Sequence, residues 1–492
     1  MKGELVIAII FVIYLVMNAG LGVVFFRKTN DMSDYLLGGR KLNSWVTAMS
    51  AQASDMSGWL LIGLPGTAYI VYSGTVEAIW VAVGLMLGTY ANWLFVAKRL
   101  RKYTEISGNS LTLPDFFENR FKDKKHILRI VSAIIVVVFF LVYTSSQYAA
   151  GGKLFSTIFG IDYKWGLIIS AMAVLIYTAL GGFTAVCWAD TIQGTIMFFA
   201  LIIVPVVTMC QVGGWDAAAE RISQLTDETL TVFPMDGGRV NGFLLASAIG
   251  WGLGYFGQPH ILVRFMAIQS PDMIKKSRII AMIWVIITLT AAIFVGLVGK
   301  AILPDLTDAE TIFMSEINLL FSPVISGILM TAILAAIMST ASSQLLVTAS
   351  SVTRDLYAVI FKKDGNGKDV VWLSRLTVGI VTIVAVVLAL NPESSVFDLV
   401  SFAWSGFGTA FGPLLIFALF WRRMTLQGAI SGMIVGGVVD VCWYFAKGGI
   451  FDIYEIIPGF MAASLAIVIV SLMTKANPEI QKEFDMVKNA KF

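Results

Sequence analysis

The sequence predicts an all-α polytopic membrane protein with about thirteen transmembrane helices. Of its 492 residues, 57% are hydrophobic and only 14% are charged, and the mean hydropathy is +0.81. A soluble domain does not have this balance. Apolar runs long enough to cross a bilayer, which takes about 20 residues, recur along the chain. They fall at 4–26, 42–72, 75–97, 128–159, 163–181, 184–212, 242–267, 279–302, 322–359, 370–390, 396–421, 426–446 and 454–474.

The distribution of basic residues predicts the orientation of these helices. An odd number of crossings places the two termini on opposite sides of the bilayer. With the N-terminus outside, 28 of the 35 Lys and Arg residues fall in segments predicted to be cytoplasmic, as the positive-inside rule requires. The outer loops at 213–241 and 303–318 are acidic instead. We therefore expect the N-terminus outside and the C-terminus inside.

The run at 42–72 combines spanning length with polar residues at membrane mid-depth. Its middle, from Gln52 to Gly58, reads QASDMSG. A carboxylate at that depth costs about 3 kcal/mol or more without a partner, which makes Asp55 a candidate functional residue. A helix broken there offers carbonyls to a cation and N–H groups to a carboxylate. The alternative is a polar kink that packs against neighbouring helices.

A second interrupted helix follows at 242–267. Its central run, GWGLGYFGQPH, contains four glycines and a proline, which do not form a regular helix. Trp251 and Tyr255 share one helix face there and suit a small apolar ring. Two interrupted helices in one bundle are typical of a transporter site.

The position of the two interrupted helices predicts an inverted repeat. Each opens a set of five helices, over 42–212 and 242–421, and because five is odd the two sets have opposite orientation. One extra helix precedes them at 4–26. Two more helices lie within 426–474, and a cytoplasmic tail follows at 475–492, so that 1–492 forms a single transporter domain.

The helix at 322–359 carries a narrow face of small and hydroxyl-bearing residues. Ala336, Ser339, Thr340 and Ser343 stand at i, i+3, i+4 and i+7. Such a face allows close helix packing, with the hydroxyls bonded to their own helix. Opposite a broken helix with an acid, it favours a site for a hard cation.

For each of three residues, the sequence leaves two alternative roles open. Arg40 is either a positive-inside anchor or an inner gate, and Tyr143 either lines a cavity or packs with a local hydrogen bond. Asp190 either lies near a helix start, where the dipole favours a carboxylate, or supports a cation site.

Several classes of protein do not fit the sequence. Nothing resembles a nucleic-acid site, and two histidines give little material for an enzyme's nucleophile and base. A channel would need a continuous polar pore, whereas the polar groups concentrate at mid-depth. His260 is expected to make a structural hydrogen bond. Cys187, Cys210 and Cys442 lack metal-ligand spacing and are expected in the core, not in disulfides.

Five stretches resemble the solute:sodium symporter family and, within it, the bacterial sodium/proline symporters. They are DYLLGGR (34–40), AQASDMSGWLLIGLPG (51–66), WGLGYFGQPHILVR (251–264), ILAAIMST (333–340) and YEIIPGF (454–460). The resemblance implies a LeuT-type 5+5 repeat in the lipid bilayer of a bacterial cytoplasmic membrane. It implies symport of L-proline with Na⁺ as the coupling ion, by alternating access in a monomer. Another zwitterion or carboxylate, such as another amino acid or pantothenate, is the alternative substrate.

The resemblance also implies roles for individual residues. A sodium site is expected from the carbonyls of Ala53, Met56 and Ala336 and the hydroxyls of Ser339 and Thr340, supported by Asp55 and Asp190. The substrate pocket is expected from Ser57, Gly58, Trp59, Tyr143, Trp251, Tyr255, Gln258 and Pro259, with Arg40 as a gate. One departure is Ala189, where the family often has Thr before the matching Asp, so that position 189 lends no hydroxyl, while Asp190 itself is in place.

Overall fold

The computed structural model describes residues 2–26, 32–180, 182–225, 232–236, 239–361, 368–392 and 395–490. The predicted turn residue Gly181 and parts of the predicted loops at 27–41, 213–241 and 354–375 lie outside these ranges. Within them, nine helices are long and apolar enough to cross a membrane, and three shorter apolar helices accompany them. The chain is therefore a multi-pass, all-α membrane protein, while the exact count of thirteen crossings stays a prediction.

The helices follow the predicted apolar runs closely. They are α1 (Lys2–Phe26), α2 (Met32–Leu37), α3 (Ser44–Gly58), α4 (Leu64–Tyr69), α5 (Ser73–Ile106), α6 (Leu113–Phe121), α7 (Ile127–Phe159), α8 (Tyr163–Leu180), α9 (Phe183–Val212), α10 (Trp215–Ser223), α11 (Gly242–Gly250), α12 (Pro259–Ala267), α13 (Ile274–Ile302), α14 (Ile312–Leu320), α15 (Pro323–Ile360), α16 (Lys368–Leu388), α17 (Val396–Phe420), α18 (Leu426–Phe445), α19 (Ile456–Met473) and α20 (Pro478–Asn489). Helices α5 and α15 contain π-helical turns at Asn92–Val96 and Ser351–Tyr357. Short 3₁₀ turns lie at Gly38–Arg40, Pro271–Met273, Ala309–Thr311 and Gly449–Asp452.

A two-residue hairpin is a minor exception to the all-α prediction. Strands β1 (Met235–Asp236) and β2 (Arg239–Val240) pair antiparallel in the long loop before α11. Met235, Arg239 and Val240 are exposed.

Both predicted interruptions are present. In the first, α3 ends where Ser57 adopts φ 54° and ψ −174°, and a π-helical turn over Trp59–Gly63 leads into α4. In the second, a 3₁₀ turn over Trp251–Phe256 follows α11, and Gln258 is extended. Helix α12 then begins with Pro259, because proline suits a first turn but cannot continue a helix.

The two termini lie at opposite ends of the bundle. Gly3 packs against Pro323 at the start of α15. Near the other end of α15, Asp355 accepts a hydrogen bond from Thr112 at 3.1 Å, just before α6. Helix α20 packs against α6 and the adjoining end of α5. We call these ends of the molecule the N-terminal face and the C-terminal face.

The two interrupted segments are joined at the C-terminal face. The Leu42 N–H donates to the carbonyl of Ala267 at 3.3 Å, and the Gln269 N–H donates to the Leu42 carbonyl at 3.0 Å. The start of the first interrupted segment is therefore held against the end of the second one.

The cysteines correct one prediction. All three are free thiols, but only Cys187 is buried, whereas Cys210 and Cys442 are exposed on their helices. The expected core position is wrong for these two. In a membrane protein an apolar run does not distinguish a lipid-facing side chain from a core one, because both environments are apolar.

Candidate ion- and substrate-binding site

Four of the predicted sodium ligands meet where α15 passes the break in the first interrupted segment. The Ser339 hydroxyl donates to the Ala53 carbonyl at 2.7 Å, and the Thr340 hydroxyl lies 3.4 Å from the same oxygen. The Ser339 hydroxyl also lies 3.1 Å from the Ala336 carbonyl. All four residues are fully buried. Two carbonyl and two hydroxyl oxygens thus converge, and such a set of oxygen ligands suits a hard cation.

The fifth predicted ligand, Met56, does not join this group. Its carbonyl accepts the Trp59 N–H at the end of α3. Among the described residues, no hydrogen bond connects Met56 with Ser339 or Thr340. Its role as a ligand stays a prediction.

Asp55 is buried and has no cationic partner in the part of the chain that the structure describes. Its side chain is 4% exposed, and its Oδ2 accepts a hydrogen bond from the Tyr255 hydroxyl at 2.7 Å. The Tyr143 hydroxyl donates to the backbone carbonyl of Asp55 at 3.2 Å. In the described ranges, no Lys, Arg or His lies within ion-pairing distance of this carboxylate. An isolated buried carboxylate is costly, so Asp55 needs compensation from a bound cation or a proton.

The peptide amides at the first break are partly occupied. The Gly58 N–H donates to Oε1 of Gln147 on α7 at 2.9 Å, and the Trp59 N–H lies 3.1 Å from the Ser57 hydroxyl. A Cβ on Gly58 would approach Ala150 to 3.1 Å, so glycine lets α7 pack closely here. The expectation of free amides for a substrate carboxylate is therefore wrong for Gly58 in this conformation.

Four aromatic rings form a wall on the N-terminal side of Asp55. Trp59 and Trp251 stack with their ring centroids 5.4 Å apart and a 29° interplanar angle. Tyr454 stacks on Trp251 at 5.4 Å, and Phe397 lies 5.1 Å from Trp251. The two tryptophans are predicted site residues, whereas Phe397 and Tyr454 are not. Tyr454 was visible only as part of the YEIIPGF stretch.

A cavity of about 440 Å³ lies against this aromatic wall, and we call it the outer vestibule, because the N-terminal side is predicted to face outward. Its lining combines Trp251, Phe397 and Tyr454 with carboxylates and one ammonium group. The charged lining residues are Glu77, Asp398, Lys447, Asp452 and Glu455.

The second break contributes an unused hydrogen-bond acceptor. The side-chain amide of Gln258 donates to the carbonyls of Gly254 at 3.3 Å and Trp404 at 3.0 Å. Its Oε1 is buried and has no partner among the described residues. Pro259 lines a narrow cavity together with Arg264. Gln258 can therefore accept a hydrogen bond from a ligand's ammonium group, as its predicted substrate role requires.

Asp190 forms a buried ion pair that the sequence did not reveal. Its Oδ2 accepts hydrogen bonds from Ser50 at 2.6 Å and from Arg264 at 3.1 Å. Arg264, only 1% exposed, also donates to Ser343 at 2.6 Å. Asp190 lies two turns inside α9, beyond the reach of the helix dipole at its start. Support of the cation site by Asp190 stays a prediction.

Two signals in the sequence pointed toward this ion pair. Arg264 is a basic residue at the end of an apolar run, and a charge in such a position needs a partner. Asp190 is the matching acid in another apolar run. Spacing along the chain could not pair them, because they stand 74 residues apart.

Arg40 connects three segments at the C-terminal face. Its guanidinium donates to the carbonyls of Met266 at 2.7 Å and Ser110 at 2.9 Å. It also donates to the side chains of Thr104 at 3.2 Å and Asn109 at 3.1 Å. Partial burial lowers the pKa of Arg40 to about 10, so it remains cationic at neutral pH. These bonds exceed what a simple anchor needs, and the gate remains a prediction.

The prediction for His260 is wrong. Its ring is fully buried, and among the described residues neither ring nitrogen has a hydrogen-bond partner. The ring instead packs edge-on against Phe140 at 5.6 Å and Tyr143 at 6.0 Å. The helix α7, which is remote in sequence, presents aromatic side chains at this position.

An uncompensated acid, converging hard oxygens and two broken helices in one bundle define a helical membrane transporter of the cation-coupled class. Residues 35–436 match the Sodium:solute symporter family, and the chain belongs to this family.

Full-length relatives share the similarity. The Sodium/proline symporter of Escherichia coli (strain K12) is 46% identical over 483 residues, covering 96% of this chain and 94% of the relative. The High-affinity proline transporter PutP of Bacillus subtilis (strain 168) is 49% identical, covering 93% of this chain and 96% of the relative. Because these relatives are named as transporters, the prediction of a non-enzymatic function is confirmed.

Solved structures confirm the LeuT-type fold. A substrate-bound, outward-open Na⁺-coupled sialic acid symporter has a TM-score of 0.77 at 18% identity, covering 96% of this chain and 98% of that chain. MhsT in complex with L-phenylalanine has a TM-score of 0.52 at 15% identity, covering 87% of this chain and 97% of that chain. At these identities the two likenesses concern the fold alone.

Proposed function

We propose that this chain is a sodium-coupled symporter that moves L-proline into the cell by alternating access. Relatives named as sodium/proline symporters or proline transporters are 45% to 49% identical over nearly its whole length. One feature of the site supports this function most directly. The Ala53 carbonyl and the hydroxyls of Ser339 and Thr340 meet near Asp55, for which the described residues offer no cation.

The bound sodium ion compensates the Asp55 charge from a nearby position. Because Asp55 is bonded to Tyr255, an ion at the first break also fixes the second one. Each ligand should then tighten the binding of the other by the same factor.

Proline has three chemical features, and this site has a binding group for each of them. Its ring packs against Trp59 and Trp251 in the space beside Asp55, which we call the substrate chamber, and its secondary ammonium binds Asp55 or Oε1 of Gln258. Its carboxylate competes with Gln147 for the Gly58 N–H. Release of that amide is the local rearrangement that substrate binding requires.

The sodium gradient is sufficient for accumulation. One sodium ion crossing 100 mV supplies about 2.3 kcal/mol, and a tenfold gradient adds about 1.4 kcal/mol. The sum of about 3.7 kcal/mol sustains roughly 500-fold accumulation of a net-neutral zwitterion at one-to-one coupling.

The transporter works as a monomer in the bacterial cytoplasmic membrane, with its N-terminus outside. Arg40, which binds Met266 and Ser110, forms the inner gate. The aromatic wall of Trp59 and Trp251 forms the outer closure.

The purified full chain in proteoliposomes tests this function. Labelled proline should accumulate against its gradient with an inward Na⁺ gradient, but not when choline replaces Na⁺. Excess unlabelled proline should block uptake far better than other amino acids or pantothenate. Preferential block by one of those compounds would reassign the substrate, and undiminished accumulation in choline would reject sodium coupling.

Asp55→Asn tests the role of the acid in the same vesicles. This change keeps the shape and removes the charge, so we expect sodium-stimulated proline binding to be lost while the protein still inserts. Tyr255→Phe removes the hydrogen bond to Asp55 but leaves the carboxylate, so it should keep sodium binding while weakening the coupling between sodium and proline. Normal sodium dependence in Asp55→Asn would show that the acid is only a packing feature.

A further inference from the structure

Two carboxyl groups lie close together behind the outer vestibule. Asp440 on α18 is fully buried, and Glu455, just before α19, is 9% exposed and lines the vestibule. The Ser405 hydroxyl on α17 lies 3.3 Å from Oδ2 of Asp440 and 3.1 Å from Oε1 of Glu455. Three helices therefore meet at one hydroxyl between two acids. None of these residues belongs to the site between α3 and α15.

The cluster of Asp440, Glu455 and Ser405 needs one more positive charge or proton to compensate its two carboxylates. Ser405 has a single hydroxyl proton, and the Phe402 carbonyl at 2.9 Å competes for it, so at most one carboxylate receives it. Oδ1 of Asp440 has no partner in the described part of the chain. Neither acid forms an ion pair with a Lys, Arg or His of the described residues.

Of the two carboxylates, Asp440 has the less compensated negative charge. Glu455 stands at the start of α19, where the helix dipole favours a negative charge. Asp440 lies within α18 and has no such stabilisation. Two neighbouring buried carboxylates cannot both stay ionised without compensation.

The outer vestibule provides a route and an attractive field for a cation. It is a cavity of about 440 Å³, and Glu455 lies on its surface. Glu77, Asp398 and Asp452 also line it, against the single ammonium of Lys447 among the lining residues. Clefts lined mainly by one sign of charge concentrate the opposite ions.

Lys447 does not remove the deficit. Its Nζ lies over the ring of Tyr444, 5.2 Å from the ring centroid, and it forms no ion pair with Asp440 or Glu455 among the described residues. The ammonium is exposed at the rim, so water and salt screen its charge.

We propose that Asp440, Glu455 and Ser405 form a second site for a monovalent cation, which enters through the outer vestibule. Carboxylate and hydroxyl oxygens suit Na⁺, and a proton shared by the two carboxyl groups meets the same deficit. The cation balances the charge of the pair and holds α17, α18 and the start of α19 together.

Occupancy of this site acts on the aromatic wall through Tyr454. Tyr454 precedes Glu455, stacks on Trp251 at 5.4 Å and donates its hydroxyl to the Ser401 carbonyl at 2.8 Å. Loss of the cation leaves two carboxylates that repel each other at the start of α19. The displacement reaches Tyr454 first and weakens the closure over the substrate chamber.

Na⁺ is the first candidate for the bound cation. It is tested by measuring sodium binding to the purified full chain in lipid nanodiscs without proline. The variants are Asp440→Asn and Glu455→Gln. The matched control is Asp452→Asn, which removes a vestibule acid that accepts a hydrogen bond from the Gly448 amide and does not bind Ser405. If the cation is Na⁺, both variants should bind one ²²Na⁺ fewer than the unmodified protein, and the control should not.

A proton shared by the two carboxyl groups is the second candidate. It is tested by measuring thermal unfolding between about pH 5 and about pH 8. If the folded state holds a proton that the unfolded state releases, stability falls as the pH rises. This fall should be smaller in both variants and unchanged in Asp452→Asn, while the ²²Na⁺ count stays that of the unmodified protein.

One outcome overturns the site. If Asp440→Asn and Glu455→Gln fold, and neither the ²²Na⁺ count nor the pH dependence of unfolding differs from that of the unmodified protein, the pair binds no cation. Glu455→Gln is the decisive variant should Asp440→Asn fail to fold, because Glu455 is nearer the surface. Neither measurement involves proline, so failure here is distinguishable from failure of the proposed transport function.

Discussion

At the scale of single residues, one carbonyl organises the proposed sodium site. The Ala53 carbonyl oxygen accepts a hydrogen bond from the Ser339 hydroxyl at 2.7 Å. The Thr340 hydroxyl lies 3.4 Å from the same oxygen. An arriving cation takes the place of the hydroxyl protons, and the same hydroxyls then turn their lone pairs toward it. The exchange rotates both side chains and separates the Ser339 hydroxyl from the Ala53 carbonyl, which now lie 2.7 Å apart.

Ser339→Ala and Thr340→Ala test this exchange. Each removes one oxygen ligand, and loss of a neutral ligand of this strength should raise the Na⁺ concentration for half-maximal proline uptake by about three- to tenfold. Thr348→Ala is the matched control, because its hydroxyl donates within α15 to the Gln344 carbonyl at 2.8 Å. Sodium dependence that matches the control in both variants would exclude this face as the ion site.

The same residues show what the sequence could and could not predict about the site. The spacing of Ser339 and Thr340 identified a hydroxyl face, and the acid in the facing helix identified its opposite wall. The direction of the Met56 carbonyl depended on how the backbone turns at Ser57, and spacing does not encode that turn. Capture of the Gly58 amide depended on Gln147, which lies 89 residues further along the chain.

At the scale of elements, the two interrupted segments act as one unit. Tyr255 at the second break donates to Asp55 at the first, and Trp251 stacks on Trp59. The breaks themselves were predictable, because glycine and proline interrupt helices for local reasons. Their mutual contacts were not, since Asp55 and Tyr255 stand 200 residues apart, and the positions of Phe397 and Tyr454 at the same wall were equally hidden.

Trp251→Ala and Tyr255→Ala test the proposed substrate chamber. Each removes a large buried aromatic surface, so proline affinity should fall by roughly 1–3 kcal/mol in equilibrium binding. Trp443→Ala is the control, because Trp443 lines the outer vestibule and donates to the Ile453 carbonyl instead of joining the Trp59 stack. If all three variants bind proline equally well, the substrate chamber lies elsewhere.

At the scale of the whole molecule, the contacts that could separate the proposed substrate chamber from water lie on two sides. The aromatic wall lies on the N-terminal side, and Arg40 with the Leu42–Ala267 hydrogen bond lies on the C-terminal side. The proposed alternating access requires that these two sets of contacts open in turn. Hydropathy sufficed to predict that the chain is a bundle of long apolar helices, because the bilayer requires them, while their exact number and their orientation stay predictions. Docking of α20 through the ion pair of Lys122 and Glu483 was not predictable, since it joins segments far apart in sequence.

The placement of the two faces in the membrane leads to a labelling prediction. Cysteine at Lys124, exposed beside α6 on the C-terminal face, should resist an impermeant thiol reagent in intact cells and react only after permeabilisation. The positive-inside rule requires this, because the surrounding loop is rich in Lys and Arg. Cysteine at Lys447, exposed at the outer vestibule, is the matched control and should react in intact cells. Cys210 and Cys442 are exposed and must first become Ser, whereas buried Cys187 can stay. Labelling of Lys124→Cys but not Lys447→Cys in intact cells would invert the orientation, and the outer vestibule would then face the cytoplasm.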